Sequence, residues 1–209
     1  MLRILIADDH TVVRKGLKQI LLEEYPTAHI EEVPDAEELI SRVMSHDWDI
    51  VVSDLSMPGR SGLDALHQIK HSHPDLPVLI LSIHPEEHYA LRVLKAGASG
   101  YLSKDSAPDE LVKAIQKVLL GKKYISSTVA EKLATTYSID GDKHLHELLS
   151  DREFDVMKLL ASGKSVSEIA DSLSLSVTTV STYRARIMNK MNLRTNSDLT
   201  KYAIENNLL

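Results

Sequence analysis

In the first 121 residues, short β-rich runs at Ile4–Ala7, Ile30–Val33, Asp49–Ser53, Val78–Ser82 and Gly100–Leu102 alternate with segments of helical period. Runs such as Ile50-Val51-Val52 and Val78-Leu79-Ile80-Leu81 are apolar at every position, which suits strands covered on both faces. Between them, Val12, Val13, Leu17, Ile20 and Leu21 trace the apolar face of a first helix, and Leu63, Leu66 and Ile69 that of a third. Ala90, Leu91, Val93 and Leu94 mark a fourth, and Leu111, Val112, Ile115, Val118 and Leu119 a fifth. The second, around Ala36–Met44, has the weakest pattern. Five such β/α units predict an α/β domain over 1–121, a doubly wound five-stranded parallel sheet that takes ligands at the carboxyl ends of its strands.

The pattern then changes. Residues 122–146 read as a linker: Gly121-Lys122-Lys123 ends the last helix, a modest helical segment covers about Thr128–Tyr137, and a polar stretch runs from Ser138 to His144. From 147 to 209 the chain is expected to be a small all-α domain of four helices. Ser150-Asp151-Arg152-Glu153 and Ser165-Val166-Ser167-Glu168 are capping boxes that open its first two helices. Val177–Met191 forms the third, with Val180, Ile187, Met188 and Met191 inward, and Asn196–Asn206 the fourth. Two short helices joined by the tight turn Ser174-Leu175-Ser176 form a helix-turn-helix, whose second helix can enter a DNA major groove.

Charge follows this division. The net charge of −6 hides a front domain with 12 basic and 19 acidic residues and a back domain with 8 of each. Within the back domain, Arg184, Arg186, Lys190, Arg194 and Lys201 face Asp198 alone over 178–201. An acidic protein binds nucleic acid through such a local basic stripe, because phosphate contacts are local. The chain has no cysteine, which excludes disulfides, thiolate catalysis and cysteine-ligated metals. The N-terminal apolar run meets Asp8-Asp9 too soon for a signal-peptide core, and no run approaches a membrane span of about 20 residues. The expected setting is the cytoplasm, with no membrane contact.

Three acids stand at strand ends: Asp8 and Asp9 after the first strand and Asp54 after the third. A parallel sheet brings these ends to one edge, where like charges raise one another's pKa. A hard divalent cation is the usual remedy, and magnesium suits a few carboxylates with phosphate and water. Ser82 and Lys104 add a hydroxyl and an ammonium at the same edge. Carboxylate nucleophile, metal, hydroxyl and ammonium together describe phosphoryl transfer onto an aspartate.

Asp8-Asp9, Asp54-Leu55-Ser56-Met57-Pro58-Gly59, Ser82 and Gly100-Tyr101-Leu102-Ser103-Lys104, in that order and spacing, resemble the receiver domain of bacterial two-component response regulators, a flavodoxin/CheY-like fold. The resemblance implies that Asp54 accepts phosphate from a sensor histidine kinase, and that Asp8, Asp9, Asp54 and the backbone carbonyl of Ser56 hold magnesium. It implies further that Lys104 pairs with the phosphoryl oxygens, that Ser82 is the switch hydroxyl, and that Tyr101 is the aromatic that turns inward with it. Ser82 stands where threonine is commoner. Ile83 stands where many receivers carry a small residue, and its bulk bears on access of phosphodonor and water.

Leu149-Ser150-Asp151-Arg152-Glu153, with Gly163-Lys164-Ser165, Glu168-Ile169-Ala170 and Val177-Thr178-Thr179-Val180-Ser181, resembles the LuxR-type output domain. Together the halves resemble a NarL/FixJ-type response regulator. That resemblance implies DNA contacts from Thr178, Thr179, Ser181, Arg184 and Arg186, with Lys190 and Arg194 toward the DNA backbone. Some relatives carry lysine where Ser181 and Ala185 stand, so their base preference does not transfer. The implied partners are double-stranded DNA, a sensor histidine kinase, a second copy of the chain on phosphorylation, and RNA polymerase as a candidate.

Two other readings compete. In one, the first domain is a phosphate-independent dimerisation module. In the other, it is a magnesium-dependent phosphohydrolase, but that enzyme wants its second acid two residues after the nucleophile on the first strand, and it leaves the helix-turn-helix unexplained. The histidine sets His67/His71, His84/His88 and His144/His146 are expected to be solvated, since zinc usually wants three or four protein ligands in a closed shell. No glycine-rich phosphate loop or nucleophile elbow occurs in the sequence.

Overall fold

The structure is a computed structural model, in which residues 1–126, 129–131 and 145–209 are described. The chain divides into two units, Met1–Ser138 and Ile139–Leu209.

In the first unit, β1 (Arg3–Ala7), β2 (His29–Val33), β3 (Ile50–Asp54), β4 (Val78–Ser82) and β5 (Gly100–Ser103) alternate with α1 (Thr11–Glu24), α2 (Ala36–Ser45), α3 (Gly62–Ser72), α4 (Glu86–Lys95) and α5 (Ala107–Leu119). The strands form one parallel sheet in the order β2-β1-β3-β4-β5. This is the expected doubly wound topology. Its order reverses between β1 and β3, the place where such sheets open a crevice at their carboxyl ends. On one face Ile4, Ile6, Ile50, Val52, Leu79 and Leu81 pack with Leu17 and Leu21 of α1 and Leu111 and Ile115 of α5. Alternate residues such as Leu5, Val51 and Ile80 are equally buried and point to the other face, which explains the unbroken apolar runs.

Two helix readings need correction. The second helix is well patterned: Ala36, Leu39, Ile40 and Val43 are all buried, the i, i+3, i+4, i+7 spacing of a single face. Glu37, Glu38 and Arg42 between them dilute the signal, and Asp35 caps the helix by accepting from Glu38 N at 2.8 Å. Val12, expected inward, is 84% exposed. It lies five residues before Leu17, about 140° round the helix from it.

The second unit opens with a 3-10 turn at Leu145–Leu148, followed by α6 (Asp151–Ala161), α7 (Val166–Leu173), α8 (Val177–Met191) and α9 (Asn196–Glu205). Both expected capping boxes form, Ser150 with Glu153 and Ser165 with Glu168. A third, Thr195 with Asp198, opens α9. Phe154, Val156, Met157, Leu160, Ile169, Val180, Ile187, Met191 and Leu199 are buried and form the core. Ser174 ends α7 in the left-handed region at φ 54°, making the tight turn into α8. Of the expected helix over Thr128–Tyr137, only Val129–Glu131 are described, and they are helical. The rest of it, and the polar stretch 138–144, lie outside the described residues.

Candidate functional site

The carboxyl edge of the sheet gathers the acids as expected. Asp8 is 0% exposed and Asp54 3% exposed, and ligand atoms of Asp8, Asp9, His10 and Asp54 all lie within 4.8 Å of one another. Lys104, in the turn after β5, donates to Asp54 Oδ2 at 2.7 Å and lies 2.7 Å from Asp8 Oδ2. Ser56 N donates to Asp54 Oδ1 at 3.2 Å, and His10 N to Asp8 Oδ1 at 2.8 Å. The Asp8 carbonyl accepts from Arg14 Nη1 at 2.5 Å, which fixes the strand end.

Burial pushes the Asp54 carboxyl above its ordinary range, and the Lys104 bond and the charge of Asp8 then act on it in opposite directions. Burial acts against the Lys104 ammonium, but Asp54 and Asp8 outweigh it and raise its pKa. One ammonium therefore faces two buried carboxylates in the crevice. Asp8 Oδ2 and Asp9 Oδ1 are buried oxygens without a hydrogen bond of good geometry; Lys104 Nζ lies 2.7 Å from the first and His10 Nδ1 2.8 Å from the second. Carboxylate oxygens gathered this closely, with acceptor capacity left over, fit a hard divalent cation such as magnesium.

Ser82 and Tyr101, expected to form the switch, lie near the acids. Ser82 is buried at the end of β4, and its Oγ accepts from His84 N at 3.0 Å. The Tyr101 ring is buried, and its hydroxyl donates to His84 O at 2.7 Å. Burial pushes that hydroxyl up to about 12, so it keeps its proton at neutral pH. Ile83 stands beside Ser82 with 69% of its surface exposed.

Two functional positions escaped the sequence reading. His84, expected to be solvated, is a hub. Its Nε2 lies 2.9 Å from Ser56 Oγ, its ring stacks on Tyr89 at 4.9 Å, and its backbone joins Ser82 to Tyr101. His146 departs from that expectation too, with Nδ1 2.9 Å from Tyr202 Oη. His67 and His71 are exposed on α3, and His144 lies outside the described residues. Gly62 was not singled out, yet a Cβ there would stand 1.9 Å from the Asp54 carbonyl oxygen. The first turn of α3 thus packs directly on the Asp54 backbone. The short Pro58-Gly59-Arg60-Ser61-Gly62 stretch after Asp54 is the only sequence signal for that approach.

In the second unit, Thr178, Ser181 and Arg186 are exposed on α8, while Thr179 and Arg184 are half-buried. Thr178, Thr179, Thr182, Tyr183 and Arg186 line a cleft of about 280 Å³ with Ser176. Arg184 Nε donates to Asn196 Oδ1 at 2.9 Å, and Arg194 is exposed in the turn before α9. Lys190 is the exception. Expected toward the DNA backbone, it donates to Glu153 Oε2 at 2.6 Å, and that carboxylate is 3% exposed.

A buried aspartate crevice on a doubly wound sheet, carried by a chain that continues into a helix-turn-helix, defines a receiver coupled to an output domain. The chain belongs to the response regulators: residues 4–116 match the response regulator receiver domain, and residues 147–203 match the bacterial regulatory proteins of the luxR family. The response regulator UvrY of Escherichia coli is 36% identical over 210 residues, covering 100% of this chain and 96% of UvrY. The oxygen regulatory protein NreC of Staphylococcus carnosus is 35% identical over 215 residues, covering 100% and 99%. Among solved structures, RcsB of Salmonella enterica serovar Typhimurium, bound to promoter rprA in the presence of the phosphomimetic BeF3-, aligns at TM-score 0.63 and 27% identity over 97% of this chain and 98% of that one. The chain is a regulator rather than an enzyme, and among the described residues no helix is long and apolar enough to cross a membrane.

Proposed function

We propose that this response regulator is switched by phosphorylation of Asp54 from a sensor histidine kinase and that its phosphorylated form regulates transcription by binding DNA. The observation that carries the reading is Lys104, whose single ammonium lies 2.7 Å from both Asp54 and Asp8 inside a buried acidic crevice. In the transfer, an Asp54 carboxylate oxygen attacks phosphorus, the P–N bond of the donor phosphohistidine breaks, and the leaving imidazole takes a proton from water. Lys104 then moves its charge from carboxylate to phosphoryl oxygen, and Ser82 donates its hydroxyl proton to another. Asp8, Asp9, Asp54 and the Ser56 carbonyl would hold magnesium, which when bound neutralises the phosphoryl oxygens. Tyr101, already turned inward, holds the loop after β4 through His84.

On the second unit, Thr178, Thr179, Ser181, Arg184 and Arg186 read the major groove, and Arg194 contacts phosphate. Arginine bonds guanine bidentately, whereas serine and threonine discriminate less. Lys190 drops out of this set because Glu153 holds it. The RcsB complexes support the DNA reading, among them two RcsB dimers on two parallel DNAs. Two copies of this chain on paired half-sites follow from two-fold symmetry. Such a regulator works in the cytoplasm, with RNA polymerase as the partner downstream.

The test is intact mass after incubation with magnesium and a small acyl-phosphate donor. A gain of one phosphoryl group in the wild type and none in Asp54→Asn is the expected result. No gain with either the small donor or a phosphorylated kinase overturns the switch and favours the phosphate-independent module.

A further inference from the structure

β5 ends the sheet, and an edge strand presents a row of unpaired N–H and C=O groups. Here that edge is covered by residues 122–126, a stretch expected to begin the linker. Tyr124 N donates to Ser99 O at 2.9 Å, and Tyr124 O accepts from Tyr101 N at 3.2 Å, a parallel bridge centred on Gly100. Lys123 Nζ donates to the Ala98 carbonyl. A Cβ on Gly100 would meet Tyr124 O at 2.7 Å and Tyr124 Cβ at 2.9 Å, so the missing side chain is what lets the segment reach the strand.

Side chains tie the same segment to the helices on either side. Tyr124 Oη donates to Glu110 Oε2 of α5 at 2.6 Å, and Ser126 Oγ donates to Glu86 Oε1 at the start of α4 at 2.6 Å. Val129 N then donates to Ser126 Oγ at 3.2 Å, and the Val129 side chain is buried. The segment crosses from α5 over β5 to α4, fixed at each.

Two of these attachments lead to the Asp54 crevice. Tyr101 holds Tyr124 through its backbone N–H and holds His84 O through its hydroxyl. Glu86, which anchors Ser126, lies two residues beyond His84, whose N–H is bonded to the Ser82 hydroxyl. A change at Ser82 that moves Tyr101 or the start of α4 therefore acts on the segment from two sides.

We infer that residues 122–126 form a strap seated on β5 while Tyr101 is turned inward, through which the crevice governs the chain leading to the LuxR-type unit. The inference rests on the phosphoacceptor reading of Asp54. A phosphoryl group shifts the strap only if the seated and unseated states differ in how they favour it, and the start of α4 supplies that difference, since Glu86 anchors Ser126 two residues after His84, whose backbone bonds both Ser82 and the Tyr101 hydroxyl. Phosphorylation holds the Tyr101 ring on His84, fixes the start of α4 and so holds the strap down.

Hydrogen exchange on the full chain, read by mass spectrometry with and without magnesium and beryllium fluoride, tests this. Beryllium fluoride should slow exchange of the 122–126 amides about fivefold or more, the scale of one hydrogen bond, and Asp54→Asn should abolish the slowing. Ser126→Ala combined with Tyr124→Phe removes the two side-chain ties to α4 and α5 and leaves the crevice intact. That variant should take up phosphate normally, exchange faster over 122–126, and lose most of the phosphate-dependent gain in DNA affinity. If residues 82–86 respond to beryllium fluoride and 122–126 do not, the strap is wrong and the phosphoacceptor reading stands. No response anywhere overturns both.

Discussion

Lys190, near the end of α8, reaches across the second unit to the buried carboxylate of Glu153 in the first turn of α6, at 2.6 Å. The same carboxylate accepts from Ser150 N at 2.7 Å to close the capping box. One carboxylate therefore joins two helices: it closes the capping box of α6 and pins α8, which carries the residues proposed to contact DNA. Burial works against ionisation of Glu153, but the Lys190 bond and the Ser150 bonds outweigh it and hold its pKa below the ordinary range.

Lys190→Met should destabilise the second unit by about 1–2 kcal/mol, the scale of a charge-assisted hydrogen bond to a half-exposed partner, as read by urea unfolding at pH 7. Glu153 is an acid with a depressed folded pKa, so its contribution is fully present above its unfolded pKa, near 4.3. It is lost as pH falls through the lower folded value. The difference between wild type and Lys190→Met should narrow over that acid window. A difference that stays constant down to pH 2 would contradict the assignment.

Gly62→Ala should uncouple Asp54 from its chemistry. The added methyl carbon would stand 1.9 Å from the Asp54 carbonyl oxygen and 2.9 Å from its carbon, so the strand end or α3 has to move. Overpacking of this kind costs about 1–3 kcal/mol, and phosphate uptake should slow sharply, since misplacement by about 1 Å costs on the order of a hundredfold. Gly16→Ala is the contrast. Gly16 lies in α1 with nothing within 4 Å of its would-be Cβ, so alanine should stabilise by about 0.5–1 kcal/mol and leave phosphate uptake unchanged. Thermal melts and phosphorylation time courses of both variants decide this.

These two positions also show where the sequence is readable and where it is not. Strands β3 and β4 announce themselves because both faces are covered and their runs Ile50-Val51-Val52 and Val78-Leu79-Ile80-Leu81 are apolar throughout. The capping boxes at Ser150 and Ser165 are equally local, a hydroxyl and a carboxylate three residues apart. The acids of the crevice follow from strand ends alone, since a parallel sheet aligns them. Lys190 with Glu153, 37 residues apart, and Tyr124 with Gly100 are relations between distant segments, and no local pattern encodes them. Gly62 is invisible for a different reason: its role is the absence of a Cβ. His84 defies the solvated expectation because it precedes α4 and turns back to Ser56, a relation between segments 28 residues apart.

Asp54→Asn should melt at a higher temperature than the wild type in the absence of magnesium. The folded pKa of Asp54 is raised, mainly by burial, so the folded chain binds its proton more readily than the unfolded chain. Stability therefore falls as pH rises from the unfolded pKa, near 3.9, through the folded value, and the penalty persists above it. The amide carries no such penalty. Below about pH 4 the two proteins should converge, and a wild type that stays the more stable at pH 7 without metal would count against the crowded-carboxylate picture. Magnesium should invert the order, because a ligand at a hundred times its Kd stabilises by about 2.7 kcal/mol, and a chelator should restore it.

The final expectation separates groove contacts from structural charge on α8. Each phosphate contact releases counterions, so losing one lowers the slope of log affinity against log salt by about 0.9. Arg194→Ala should show that loss on any DNA sequence. Arg186→Ala, on the exposed face beside Thr182, should cost about 1–3 kcal/mol on the specific site and relax its sequence preference. Asn196→Ala removes the acceptor that holds Arg184 Nε, so it should weaken specific binding through Arg184 without altering the salt slope. Lys190→Met should leave that slope unchanged as well, since its ammonium is already engaged by Glu153. Salt titrations of DNA binding for the four variants check all of this, and a slope lowered by Lys190→Met would return Lys190 to the DNA interface.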